Sequence, residues 1–156
     1  MRRLALTLGL LGALLALTTF GPVDDALTVA ASGLDPVTVV DGLPFDNRLF
    51  TEELFLPFLV VGGIDTLDEG LEIANSVDYG LTSGIFSSDQ KELEEFFSSI
   101  QAGVCYSNKQ GGATTGAMVG AQPFVGWKMS GSTGKGAGGL YYLAQFMREQ
   151  TQSMFS

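Results

Sequence analysis

The stretch Thr66-Leu67-Asp68-Glu69-Gly70-Leu71-Glu72-Ile73-Ala74-Asn75-Ser76-Val77-Asp78-Tyr79-Gly80-Leu81-Thr82-Ser83-Gly84-Ile85-Phe86 decides the fold class. Thr66 and Glu69 have capping-box spacing, so a helix begins there. Leu67, Leu71, Ala74 and Val77 recur at helical intervals and give that helix one apolar face. Gly80 lies just beyond, and Leu81 to Phe86 reads as a strand.

Toward the C-terminus the pattern repeats. Asp89 and Glu92 have the capping spacing again, and Leu93, Phe96, Phe97 and Ile100 form the stripe of a second helix. Gly103 stops it, and Val104 to Ser107 is another strand. Phe96 and Phe97 are read as core rather than as a cofactor site, and the acidic residues as solvated faces. Toward the N-terminus, Leu56 to Val61 is an apolar run with Pro57 near its start, read as a buried strand that Gly62-Gly63 ends. Val37 to Val40 is a short β-branched strand, broken by Asp41-Gly42 and Pro44. Strands alternating with helices predict an α/β layer architecture.

Beyond Asn108 the pattern changes. From Gly111 to Gly139 glycine dominates and no period of 2 or 3.6 persists. Loops of that length are usually functional or disordered. Leu140 to Gln150 is a final amphipathic piece.

With 156 residues, 46% of them hydrophobic, the chain can bury a core. Its 8 basic and 17 acidic residues leave a net charge of −9. That balance repels phosphates, and no basic patch offers a nucleic-acid surface. The chain has no histidine and one cysteine, which excludes a His/Cys zinc site, a Ser-His-Asp triad and an intrachain disulfide. No metal site is expected.

The chain opens on Met1-Arg2-Arg3, and no charge follows from Leu4 to Val23. A positive start, an apolar core and the small residues Val29-Ala30-Ala31 resemble a secretory signal. The strongly apolar part, Leu4 to Leu17, is short for a membrane span of roughly 20 apolar residues. A misread gene start and a native core helix are the competing readings.

Two nucleotide motifs fail on context. Gly134-Lys135-Gly136-Ala137-Gly138-Gly139 fits G-x-G-x-x-G literally, but no convincing strand precedes it and the chain ends before the acidic partner. A P-loop would need glycine where Met129 stands and Ser or Thr where Gly136 stands. Cys105, between Val104 and Tyr106, lacks the electropositive setting of a reactive thiolate and reads as a small core residue.

Four short motifs carry a family resemblance. Glu52-Glu53-Leu54-Phe55-Leu56-Pro57-Phe58 resembles the Glu-Glu-x-Phe-Gly-Pro-Val signature of aldehyde dehydrogenases. Tyr79-Gly80-Leu81 with Ile85-Phe86, and Ala102-Gly103-Val104 leading to Asn108, resemble the family's next pieces. Pro123-Phe124-Val125-Gly126-Trp127-Lys128-Met129-Ser130-Gly131 resembles Pro-Phe-Gly-Gly-x-Lys-x-Ser-Gly. The order and spacing are those of the family. Within it, Ala113 to Phe124 resembles the aldehyde anchor loop of pyrroline-5-carboxylate dehydrogenases. Gly131 to Gly139, Tyr141-Tyr142 and Gln145 to Gln150 resemble the tail of an archaeal-type version.

The resemblance implies the C-terminal part of the catalytic domain over residues 34–139 and a terminal oligomerisation strand within 140–156. The hydrophobic segment 1–33 is expected outside the fold. It implies NAD as cofactor, glutamate γ-semialdehyde as substrate, a homo-oligomer and the cytoplasm. Export or anchoring through residues 1–31 is the alternative. By resemblance Glu53 hydrogen-bonds the nicotinamide ribose and Phe55 flanks the nicotinamide end. Gly116 and Ala117 present backbone N–H groups to the substrate carboxylate, and Phe124 packs on its aliphatic part. The structural alternatives are core packing for Phe55 and Phe124 and a plain turn for Gly116. No catalytic residue is assigned, because the family's nucleophilic cysteine, glutamate base and oxyanion-hole asparagine lie upstream of the matched region. Such a chain is expected to be inactive alone, acting if at all as an interaction module. An exported protein of unrelated role is the third reading. Leu56 stands where glycine is common, and Val125 replaces the first glycine of the Gly-Gly pair, which is expected to narrow the loop's path.

Overall fold

The computed structural model describes residues 2–9, 12–18, 38–54, 58–109 and 122–156. Its elements run β1 (Arg2–Gly9), β2 (Gly12–Thr18), β3 (Thr38–Asp41), β4 (Phe58–Ile64), α1 (Leu67–Ser76), β5 (Tyr79–Gly80), β6 (Thr82–Phe86), α2 (Gln90–Ser99), β7 (Val104–Ser107) and β8 (Trp127–Lys128). Short 3-10 turns lie at Arg48–Phe50 and Ala144–Phe146.

Both helices start where their caps predict, by slightly different bonds. Thr66 Oγ1 accepts from Glu69 N–H at 3.2 Å. The Glu69 carboxylate reaches one residue further back than a capping box does, accepting from Asp65 N–H at 2.8 Å. At α2, Asp89 Oδ1 accepts from Lys91 N–H at 2.9 Å. Glu92 instead accepts from the Ser87 hydroxyl at 2.6 Å.

The larger sheet has the order β3-β4-β1-β2-β6-β7. β3 pairs parallel with β4, β2 with β6, and β6 with β7, while β1 runs antiparallel to both its neighbours. The β6-α2-β7 unit is the strand-helix-strand element that the pattern from Leu81 to Ser107 predicts. The core gathers Phe50, Val60 and Ile64 with Leu67, Leu71 and Ala74 of α1, then Ile85, Phe96, Ile100 and Ala102.

Several expectations are corrected. Gly62 and Gly63 do not end β4, which continues to Ile64. Gly62 serves packing: the Phe45 ring occupies its side-chain space, 2.3 Å from where a Cβ would stand. Phe97 is not core. Phe96 is 1% exposed and Phe97 49%, because α2 buries a narrow seam and Phe97 lies a helical step off it. Its ring meets Phe96 edge-on at 5.3 Å.

The segment expected outside the fold supplies β1 and β2, in the middle of the sheet. An uncharged run suits a strand with neighbours on both sides, whose ladder satisfies every backbone group. Among the described residues no helix is long and apolar enough to cross a membrane. No strand is described beyond β8; the tail expected to hold the terminal strand carries turns and the 3-10 turn at Ala144–Phe146.

Candidate functional site

The loop Pro123–Gly131 is the best-built part of the candidate site. Lys128 adopts φ 52°, and its backbone pairs with Tyr79 across β5 and β8. Its ammonium donates to the carbonyls of Asn75 at 2.7 Å and Val77 at 2.9 Å, capping the C-terminal end of α1. Burial lowers the Lys128 pKa, with Asp78 opposing that shift. Met129 N–H donates to Asp78 O at 3.0 Å, and Gly80 N–H donates to the Ser130 hydroxyl at 3.1 Å. The Lys-x-Ser part of the motif thus fastens the loop to the α1–β5 joint.

Glycines let the loop approach closely. A Cβ on Gly103 would lie 1.8 Å from the Val125 carbonyl oxygen. Gly126 and Gly131 face each other's turn in the same way. Val125 does not narrow the path as expected, because Gly136 opposite it carries no side chain: a Cβ there would stand 2.6 Å from the Val125 Cβ. Phe124 is half-buried and exchanges two backbone hydrogen bonds with Ala137, at 2.8 and 3.0 Å. A cleft of ≈ 460 Å³ lies beside it, lined by Pro123, Val125, Gly136, Leu140, Tyr141 and Tyr142.

Glu53 is half-buried and follows the turn that Phe50 anchors in the core. Neighbouring Glu52 pairs with Arg48 at 2.6 Å. Among the described residues no hydrogen bond or ion pair joins the Glu53 carboxylate. Phe55, Gly116 and Ala117 lie outside the described residues. Glu53 precedes β4 on one half of the sheet, whereas the Phe124 loop docks on Gly103 just before β7, on the other.

The glycine run Gly134–Gly139 follows turns and bends, not a strand, and among the described residues no α-helix comes after it, only the 3-10 turn at Ala144–Phe146. That geometry agrees with rejecting a dinucleotide fingerprint. Cys105 is half-buried against the core, its Sγ 3.4 Å from Ala102 O, and burial pushes its thiol pKa up. A thiol held protonated is a poor nucleophile.

Two residues matter more than their sequence reading allowed. One is Lys128. The other is Asn108, at φ 52°, whose amide accepts from Ser87 N–H at 3.0 Å and donates to Ser87 O at 2.9 Å. Together these bonds continue the β6–β7 pairing by one side chain. Asparagine's tolerance of left-handed backbone was the available signal.

The aldehyde dehydrogenase family matches residues 33–152. A 2,5-dioxopentanoate dehydrogenase of Saccharolobus solfataricus is 42% identical over 76% of this chain and 24% of its own. The 1-pyrroline-5-carboxylate dehydrogenase 2 of Bacillus subtilis is 41% identical over 74% of this chain and 22% of its own. A 1-pyrroline-5-carboxylate dehydrogenase from Thermus, solved with bound NAD, superposes with a TM-score of 0.66 at 37% identity, covering 77% of this chain and 23% of its own. The chain therefore spans about a quarter of the length of these relatives.

Proposed function

We propose a function from one premise: the chain belongs to the aldehyde dehydrogenase family. It supplies the C-terminal, substrate-facing part of an NAD-dependent enzyme that oxidises L-glutamate γ-semialdehyde to glutamate in proline degradation. The observation that carries this reading is the run of pyrroline-5-carboxylate dehydrogenases among its relatives at 39–41% identity. The anchor-loop sequence Ala113–Phe124 supports it. Gly116 and Ala117 would hold the substrate carboxylate, and Phe124 its aliphatic chain. Bound NAD would supply the hydride acceptor, with Glu53 at its ribose and Phe55 at the nicotinamide end.

The chain alone is inactive in this reading. Its one thiol is half-buried and raised in pKa, which suits a packed side chain rather than a nucleophile. The exposed Leu140, Leu143, Phe146 and Met147 support assembly with a second copy or a full-length partner. The cytoplasm is the proposed compartment, which cell fractionation tests.

A second reading has a specific support, the 42% identity to a 2,5-dioxopentanoate dehydrogenase. Both substrates carry a carboxylate remote from the aldehyde and differ at the carbon beside it. A chimera decides. Residues 34–156 replace the matching region of a full-length 1-pyrroline-5-carboxylate dehydrogenase, and kcat/KM is measured for glutamate semialdehyde, 2,5-dioxopentanoate and propanal. The first reading expects glutamate semialdehyde to lead. Dominance of 2,5-dioxopentanoate would establish the second, and a folded chimera preferring propanal would overturn both. Turnover by the isolated chain would overturn its inactivity.

A further inference from the structure

The feature the family assignment leaves unexplained is the N-terminal hairpin. The family match begins at residue 33, yet β1 and β2 sit at the centre of the sheet. β1 pairs with β4 from Arg2↔Ile64 to Thr7↔Leu59, and β2 pairs with β6 from Leu14↔Thr82 to Thr18↔Phe86. The two strands pair with each other from Arg3↔Thr18 to Gly9↔Gly12.

Without the hairpin, the sheet order falls into two pieces, β3–β4 and β6–β7. Two-stranded pieces are marginal alone, and each would open an edge. Those edges belong to the core: Val60 and Ile85 are each 1% exposed, and Thr82 and Ser83 are buried beside them. Buried backbone groups need ladder partners. The solved Thermus relative keeps most of its fold outside the superposed region, since this chain covers 23% of it.

We propose that β4 and β6 form a strand-accepting slot, and that residues 2–18 fill it as an in-chain surrogate for sheet that relatives draw from outside the matched region. The slot demands one strand antiparallel to β4 and one parallel to β6. A hairpin meets both demands at once. Its sequence carries no charge from Leu4 to Thr18, which suits strands enclosed on both sides. Tethering in cis gives it a high effective concentration over any segment from another chain. The slot therefore requires residues 2–18 to stay attached, where a secretory signal would be removed.

The test uses the full chain and hydrogen exchange. Leu6→Pro and Leu15→Pro each delete a ladder donor, whereas Ser32→Pro lies between the hairpin and β3. Both strand variants should lower protection of the Val60 and Ile85 amides by at least about tenfold, and Ser32→Pro should not. If the proline variants do not fold, a crosslink decides. In a Cys105→Ser background, Ala5→Cys with its register partner Val61→Cys should oxidise to a disulfide, and Ala5→Cys with Val39→Cys should not. Unchanged protection in both proline variants would overturn the proposal. So would a folded chain that forms no Ala5–Val61 crosslink, or a purified folded protein that has lost residues 1–31.

Discussion

Gly103→Ala is the sharpest test of how the candidate loop is held. The added Cβ would lie 1.8 Å from Val125 O and 2.5 Å from Val125 C. Such contacts do not fall below 3.0 Å, so the Val125–Gly126 peptide must retreat by about 1.2 Å. The loop cannot swing freely, because Lys128, Met129 and Ser130 fasten it on its other side. The strain is therefore shared between two packed surfaces, and overpacking of this kind costs about 1–3 kcal/mol. For a chain of this size that lowers Tm by roughly 2–12 °C. Gly134→Ala is the control: nothing lies within 4 Å of its Cβ position, and the change should stay within about 0.5 kcal/mol. Thermal melts of both variants give the size, and exchange of the Met129 amide gives the place. A Gly103→Ala melt within about 1 °C of the parent, with Met129 equally protected, would refute the close approach.

Phe96→Ala should cost about 3–5 kcal/mol in a denaturant titration, whereas Phe97→Ala should cost about 1 kcal/mol or less; equal losses would mean the seam of α2 is misplaced. Asn108→Ala loses both bonds to Ser87 and puts a Cβ residue at φ 52°, while Asn108→Gly loses only the bonds. Thermal melts should find alanine the less stable of the two by about 0.5–1 kcal/mol. Burial raises the pKa values of Cys105 and Tyr106, so the folded state holds protons that the unfolded chain releases first. Stability should be full below the ordinary thiol value of 9.0 and decline as pH rises above it. Cys105→Ala should delay the onset of that decline toward the tyrosine range near 10.0, and an unshifted onset would assign the decline to other groups.

Local signals carried much of the fold. The N-terminal caps of α1 and α2 and the strand β7 follow from side chains that act within a few residues, and so they were legible in the sequence, whereas α2 stops at Ser99, ahead of the Gly103 expected to end it. What was not legible depends on distant partners. Gly62 reads as a strand end unless the Phe45 ring is known to lie over it. Phe97 shares its helix's stripe with Phe96, and only the width of the buried seam separates them. An apolar run such as Leu4–Leu17 has no period that distinguishes strand from helix or signal, and the partner strands β4 and β6 lie more than forty residues away. At the site, Glu53 and Phe124 were picked out by motif alone, while the work of Lys128 and Asn108 rests on backbone groups no pattern displays.

Helix α1 has no basic residue in its last turn and no glycine at its C-cap. The Ser76 hydroxyl caps the Ile73 carbonyl locally at 2.7 Å, but the donor to the Asn75 and Val77 carbonyls arrives from Lys128, across sequence separations of 53 and 51 residues. Time therefore enters the structure. During synthesis at about 5–20 residues per second, the end of α1 waits several seconds before its cap exists. Through that interval the last turn frays, and Asn75 and Ser76 exchange their amides with water. In a refolding chain the same bonds form only after the glycine-rich loop has closed, so that turn is among the last to gain protection. Pulse-labelled exchange would show it, with Ser76 protected later than Leu71 on the same helix.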